Sequence, residues 1–149
     1  RIRVSMSDKK EIKIIMIEDD QGHAGLIKEN LRDAGITNDI IHFDDGQEAV
    51  DAILANKDEI LPAYAVILLD LNLPGLDGYQ ILEKLRLNEK TKRTPVCMLT
   101  TTEDEREVER CYSLGCNVYV KKPVEYNEFQ DAMKKLGIML SLVKIPKTK

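Results

Sequence analysis

Four short apolar stretches of this 149-residue chain end in side chains capable of chemistry. IKIIMI (residues 12–17) breaks off into Glu18, Asp19 and Asp20, and AVILLD (65–70) is apolar up to Asp70. PVCMLT (95–100) stops at Thr100, followed by Thr101 and Thr102, and NVYV (117–120) leads into Lys121, Lys122 and Pro123. Taken singly, an acid after a strand is ordinarily a helix cap or a solvated loop residue. If the stretches end at one rim, however, Glu18, Asp19 and Asp70 place three carboxylates beside one hydroxyl and one ammonium. Carboxylates so crowded repel one another, and a bound cation is the usual remedy. Carboxylates and a carbonyl, with no cluster of His or Cys, select a hard ion, Mg²⁺ or Mn²⁺ rather than zinc. Mg²⁺ binds one or two carboxylates together with a phosphate, so the chemistry indicated is phosphoryl transfer. Lys122 supplies a positive point charge and Thr100 a hydrogen-bond donor toward phosphoryl oxygens.

The elements that must carry these groups alternate along the chain. Strand-like runs at 12–17, 39–43, 65–70, 95–100 and 117–120 are each followed by apolar residues at helical spacing. The first helical face reads Ala24, Leu26, Ile27, Leu31 and Ala34, with Gly35 as its stop; the second opens at Asp45-Gly46 and runs to residues 54–56. Residues 57–63 read as a loop. Asp77 caps a third helix with Tyr79, Ile81, Leu82 and Leu85 inward, and a fourth covers 103–114 before Gly115. A fifth helix starts at Glu125 and runs toward the apolar stretch Ile138 to Val143. Five strands alternating with five helices call for a doubly wound α/β fold, a parallel sheet covered on both faces through right-handed crossovers. In such sheets ligands bind beyond the carboxyl ends of the strands, the edge where Glu18, Asp19, Asp70, Thr100 and Lys122 fall.

Length and composition bound the reading without naming a function. The chain fits one domain, and a domain of this size buries roughly 68–70% of its unfolded surface. The net charge is −4, yet residues 132–149 hold five lysines and no acid, leaving −9 on the remainder. Such an acidic body argues against a general nucleic-acid surface. Three cysteines (Cys97, Cys111, Cys116) without metal-ligand spacing fit reduced structural thiols. No apolar run approaches the ~20 residues of a membrane span, and the start lacks a signal-peptide core, so the expectation is a cytoplasmic protein with no membrane partner.

With IIMIEDD, VILLDLNLPGLDG, PVCMLTTT and YVKKP in view, the chain resembles the receiver domain of two-component response regulators over nearly its whole length. The Asp-x-x-x-Pro-x-x-Asp-Gly pattern from Asp70 to Gly78 is moderately specific alone. Joined to the upstream acidic pair and the downstream Thr and Lys-Pro, it becomes highly specific. The resemblance implies a flavodoxin-like (βα)5 sheet of order 2-1-3-4-5. It implies Asp70 as phosphoacceptor; Glu18, Asp19, Asp70 and the backbone carbonyl of Asn72 around Mg²⁺ (Mn²⁺ as substitute); and Thr100 and Tyr119 as switch residues. Lys122 is the matching lysine, chosen over Lys121 because strand alternation sends adjacent side chains to opposite sides. Asn72, Thr101 and Thr102 occupy the positions that tune phosphoryl lifetime, Thr101 being bulkier than the small residue often found there.

The function so implied is that of a phosphoacceptor signalling protein rather than an enzyme. A sensor histidine kinase is the phosphodonor, and phosphorylation alters partner binding or dimerisation. An alternative is a relay intermediate that passes the group to a histidine phosphotransfer protein. A haloacid-dehalogenase-like phosphatase would need a second Asp where Asn72 stands. Domain boundaries are expected at 1–11 for an N-terminal extension, 12–137 for the receiver and 138–149 for an apolar, then basic, extension of the last helix. Residues 1–5 precede Met6, the expected natural start, and no output module is expected after the fifth helix. The apolar tail and the long stretch between the second and third strands resemble the single-domain regulators paired with phytochrome-type kinases, which suggests a homodimer. The two histidines, His23 and His42, lie in no phosphotransfer-like motif and read as surface or packing residues.

Overall fold

The computed structural model describes residues 12–33, 35–55, 65–122 and 125–135. The element order is β1 (Lys13–Ile17), α1 (Gln21–Asp33), β2 (Ile40–Phe43), α2 (Gly46–Leu54), β3 (Ala65–Asp70), α3 (Gly78–Leu87), β4 (Val96–Thr100), α4 (Glu105–Ser113), β5 (Val118–Lys121) and α5 (Tyr126–Lys135). All five strands pair in parallel in the order β2-β1-β3-β4-β5. The doubly wound, flavodoxin-like sheet expected from the sequence is therefore the observed one. The expected extensions 1–11 and 138–149, Ala34, the loop 57–63 and Pro123 lie outside the described residues.

Side-chain alternation divides the apolar residues between two cores. Ile14, Met16, Val66, Leu68, Cys97, Leu99, Val118 and Val120 pack with Ala24, Ile27 and Leu31 of α1 and Ala132 of α5. Ile15, Ile17, Ile67, Leu69, Val96 and Met98 pack on the other face with Ala49, Val50 and Ile53 of α2 and Ile81, Leu82 and Leu85 of α3. The same face takes Cys111 of α4. β3, central and covered on both sides, is buried at every position, which is why its sequence is apolar without alternation. Each fully buried aliphatic side chain contributes about 1.5–3 kcal/mol relative to exposure.

The elements end where local chemistry dictates. Asp77 Oδ1 accepts from the Gln80 backbone N–H at 3.0 Å, and Gln80 Oε1 accepts from the Asp77 N–H at 3.0 Å, a reciprocal capping box that starts α3. α4 starts at Glu105, two residues later than the sequence suggested, because Asp104 takes the N-cap and accepts from Arg106 N–H. α4 stops at Gly115, whose φ of 108° a residue with a Cβ rarely adopts. One expectation is corrected here: Leu26 is not on the core face of α1. It is 39% exposed, because the buried stripe runs through Ala24, Ile27 and Leu31, and Leu26 lies a residue off it.

Candidate functional site

Parallel topology brings the carboxyl ends of β1, β3, β4 and β5 to one rim, and strand alternation decides who meets whom there. Glu18 continues the parity of Ile14 and Met16, Asp70 that of Val66 and Leu68, and Lys122 that of Val118 and Val120. All three are therefore on the face covered by α1 and α5. Lys122 Nζ lies 2.6 Å from Glu18 Oε1 and 3.2 Å from Asp70 Oδ1. Glu18, Asp70 and Lys122 are buried, whereas Asp19 is open to solvent. One oxygen from each of Glu18, Asp19 and Asp70 falls within a group whose members are all within 4.8 Å of one another.

Glu18 and Asp70 are each held by the turn that follows them. The Asp20 backbone N–H donates to Glu18 Oε2 at 3.1 Å, and Asp20 itself starts α1. Its Oδ1 accepts from His23 N–H at 2.9 Å and its carbonyl from Ala24 N–H at 2.9 Å, and the His23 bond holds the Asp20 carboxyl below its ordinary range. Asn72 N–H donates to Asp70 Oδ1 at 3.2 Å, so the loop after β3 folds back over the Asp70 carboxylate. Burial raises the Glu18 carboxyl above its usual range and the Asp70 charge adds to this, while Lys122 and the Asp20 N–H oppose it. Glu18 Oε1 takes its ion pair with Lys122 and accepts no hydrogen bond besides. Three carboxylates facing one ammonium leave a local charge of about −2, and every donor in the set is a hard oxygen. The residues fit a small divalent cation, and Asp19 keeps an open approach for it.

Thr100 lies on the opposite parity, together with Tyr119. Its hydroxyl oxygen accepts from Thr102 N–H at 3.0 Å, Thr102 Oγ1 from Asp104 N–H at 3.1 Å, and Lys122 N–H donates to the Thr100 carbonyl at 2.6 Å. The loop into α4 is thus a chain of short turns anchored on Thr100. Asn72 Nδ2 contacts Thr101 Oγ1 at 3.4 Å across the mouth, and both side chains are exposed. Thr102 is half-buried and committed to the turn. Lys121 points outward and pairs with Glu103, which holds that carboxyl below its ordinary range. Tyr119 is half-buried, its ring edge-on to Tyr112 at 6.0 Å and 76°, beside a groove of about 270 Å³ also lined by Lys121, Glu128 and Asp131.

The histidines lie where the sequence reading put them, His23 exposed and His42 half-buried, and each in addition contacts Glu18. His42 on β2 donates from Nε2 to the Glu18 carbonyl at 2.8 Å, and His23 on α1 brings Nδ1 to 3.1 Å from Lys122 Nζ and 3.9 Å from Glu18 Oε2. The available signal was positional. His23 lies in the first turn of the helix that covers the face shared by Glu18, Asp70 and Lys122, and His42 pairs in register with Met16.

The chain is similar to known proteins over most of its length. The sequence profile of the response regulator receiver domain matches residues 14–134. A response regulator receiver domain from Rhodospirillum rubrum is 45% identical and superposes with a TM-score of 0.72, covering 93% of this chain and 99% of that one. The bacteriophytochrome response regulator RtBRR is 34% identical with a TM-score of 0.78, covering 92% and 84%. Response regulator Rcp1 of Synechocystis is 37% identical over 111 residues, 73% of this chain and 75% of that protein. A structure of the Mn²⁺-bound form of Rcp1 has a TM-score of 0.71 at 31% identity, covering 91% and 99%.

Proposed function

Because this chain belongs to the response regulator receiver family, we propose that it accepts a phosphoryl group from a sensor histidine kinase onto Asp70 in a divalent-metal-dependent reaction. The observation that carries the proposal is the juxtaposition of Asp70 Oδ1 with Lys122 Nζ at 3.2 Å beside the three-carboxylate cluster. An Asp70 carboxylate oxygen bonds to phosphorus as the donor's P–N bond breaks, and the imidazole of the donor leaves. Lys122 supplies positive charge to the phosphoryl oxygens from a buried position, where it acts more strongly than in water. Asn72 N–H holds the acceptor carboxylate in place, and the Thr100 hydroxyl donates to a phosphoryl oxygen.

Glu18, Asp19, Asp70 and the Asn72 carbonyl would hold Mg²⁺ or Mn²⁺, the latter as in the Mn²⁺-bound Rcp1. When bound, the ion neutralises charge on the phosphoryl group during in-line transfer. The aspartyl phosphate adds close to two negative charges at the rim. Movement of Thr100 toward them opens space for Tyr119, which changes the groove between α4, β5 and α5 that a partner or a second copy reads. The resemblance to bacteriophytochrome regulators supports a phytochrome-type kinase as donor, and a homodimer is proposed as the assembled form. Among the described residues no helix is long and apolar enough to cross a membrane, and a cytoplasmic setting is the one in which a histidine kinase would meet this chain.

Incubation with acetyl phosphate and Mg²⁺, reading mass and oligomeric state together, tests the proposal. One phosphoryl mass gained by wild type and not by Asp70→Asn is expected, with a change in dimer fraction tied to it. Equal gain by both proteins would place the acceptor elsewhere.

A further inference from the structure

The Lys122 ammonium carries three hydrogens and no lone pair. In this structure it meets three acceptors: Glu18 Oε1 at 2.6 Å, Asp70 Oδ1 at 3.2 Å and His23 Nδ1 at 3.1 Å. A phosphoryl group on Asp70 takes over the contact that Asp70 Oδ1 makes now and, with three oxygens in place of one, competes with the two remaining partners for the same ammonium. Glu18 is fully buried and its Oε1 accepts no hydrogen bond besides this ion pair, so it gives up the ammonium at a cost that a metal ion alongside offsets only in part. His23 is different. Its side chain is 46% exposed, and Nδ1 can turn to water at little cost.

We propose that His23 is a positioning residue that tethers Lys122 in the resting site and releases it when Asp70 is phosphorylated, a role that rests on the phosphoacceptor reading above. Because an ammonium can only donate, Nδ1 must accept, which fixes the ring as the tautomer protonated at Nε2. The ring is aimed by its own backbone, since His23 N–H is bound to Asp20 Oδ1 in the first turn of α1. The tether stabilises the resting arrangement and is lost on the way to the phosphorylated one, so it slows phosphoryl uptake. A hydrogen bond of this class sets the effect at about two- to tenfold in rate.

The test compares phosphorylation rates with acetyl phosphate and Mg²⁺ for wild type, His23→Ala and His23→Asn, whose amide oxygen stands near the place of Nδ1. His23→Ala is expected to be phosphorylated about two- to tenfold faster, and His23→Asn to return toward the wild-type rate. With ring-¹⁵N histidine in wild type, the His23 Nδ1 resonance should report a hydrogen-bonded acceptor at rest and shift on phosphorylation, while His42 reports no change at Nε2. An unchanged or slower His23→Ala, or a His23 Nδ1 resonance indifferent to phosphorylation, overturns the tether while leaving the phosphoacceptor role intact. Failure of wild type to take up phosphoryl overturns the role itself.

Discussion

Lys122 is the only cation that touches Glu18 and Asp70 among the described residues, and both of those carboxylates are buried. Removing it leaves two like charges without compensation, a situation that costs about 3–5 kcal/mol. Lys122→Ala should therefore lose about that much stability in urea melts without metal, and recover part of it in Mg²⁺. A variant as stable as wild type in both buffers would mean that the ammonium carries no structural charge. Burial also pushes the Cys97 thiol up to about 12, so at neutral pH a thiol reagent should modify it no faster than the protein unfolds. Rapid modification under native conditions would contradict its placement in the core. At this scale Glu18, Asp70 and Lys122 were legible because each follows the end of an apolar strand and matches a position of the family's motif. His23 was not, because its role depends on how a helix seats over that face and on a contact 99 residues away in sequence.

The loop between β3 and α3 closes by bringing the start of α3 back onto the Asp70–Leu71 backbone, where Gly78 N–H donates to the Leu71 carbonyl at 3.0 Å, and the absence of a side chain at Gly78 allows that approach. A Cβ there would stand 2.6 Å from Leu71 Cα and 2.7 Å from the Asp70 carbonyl oxygen, both backbone atoms that cannot yield alone. Gly78→Ala should lower stability by about 1–3 kcal/mol and slow phosphorylation by shifting the Asp70 backbone. Thermal melts and acetyl-phosphate rates would read the two effects, and a variant unchanged in both would show the loop to be slack. The ion pair between Glu103 and Lys121 ties the β4–α4 loop to β5. Since the pair depresses the Glu103 carboxyl below its ordinary 4.5, its contribution is complete above that pH and vanishes as pH falls through the lowered value. The stability difference between wild type and Glu103→Gln should shrink to nothing in acid with a midpoint below 4.5; a difference that persists there would assign it to something other than charge. Asp77 was readable as a cap because its partner is three residues away. Glu103 was not, because pairing two exposed side chains 18 residues apart depends on the loop path.

For the molecule as a whole, the sheet is a frame that holds acids from β1 and β3 against a cation from β5 without any of them being adjacent in sequence. Periodicity foretold five strands and five helices, since helix and strand repeats are local. The strand order came from family resemblance, because nothing in a strand's own residues names its neighbours. A divalent cation that binds the acidic rim only in the folded state should raise stability with its concentration, by about 2.7 kcal/mol at a hundredfold excess over its dissociation constant. Thermal melts in rising Mg²⁺ would show this for wild type and a smaller gain for Asp70→Asn; equal gains would put the ion elsewhere. The most direct test of the whole account is to trap the acyl phosphate by borohydride reduction after reaction with acetyl phosphate, then map the reduced residue by peptide mass spectrometry. Reduction at Asp70 alone, and only when Mg²⁺ is present, is the expected result. Reduction at Asp19 or at any other acid, or the same yield without metal, would contradict it.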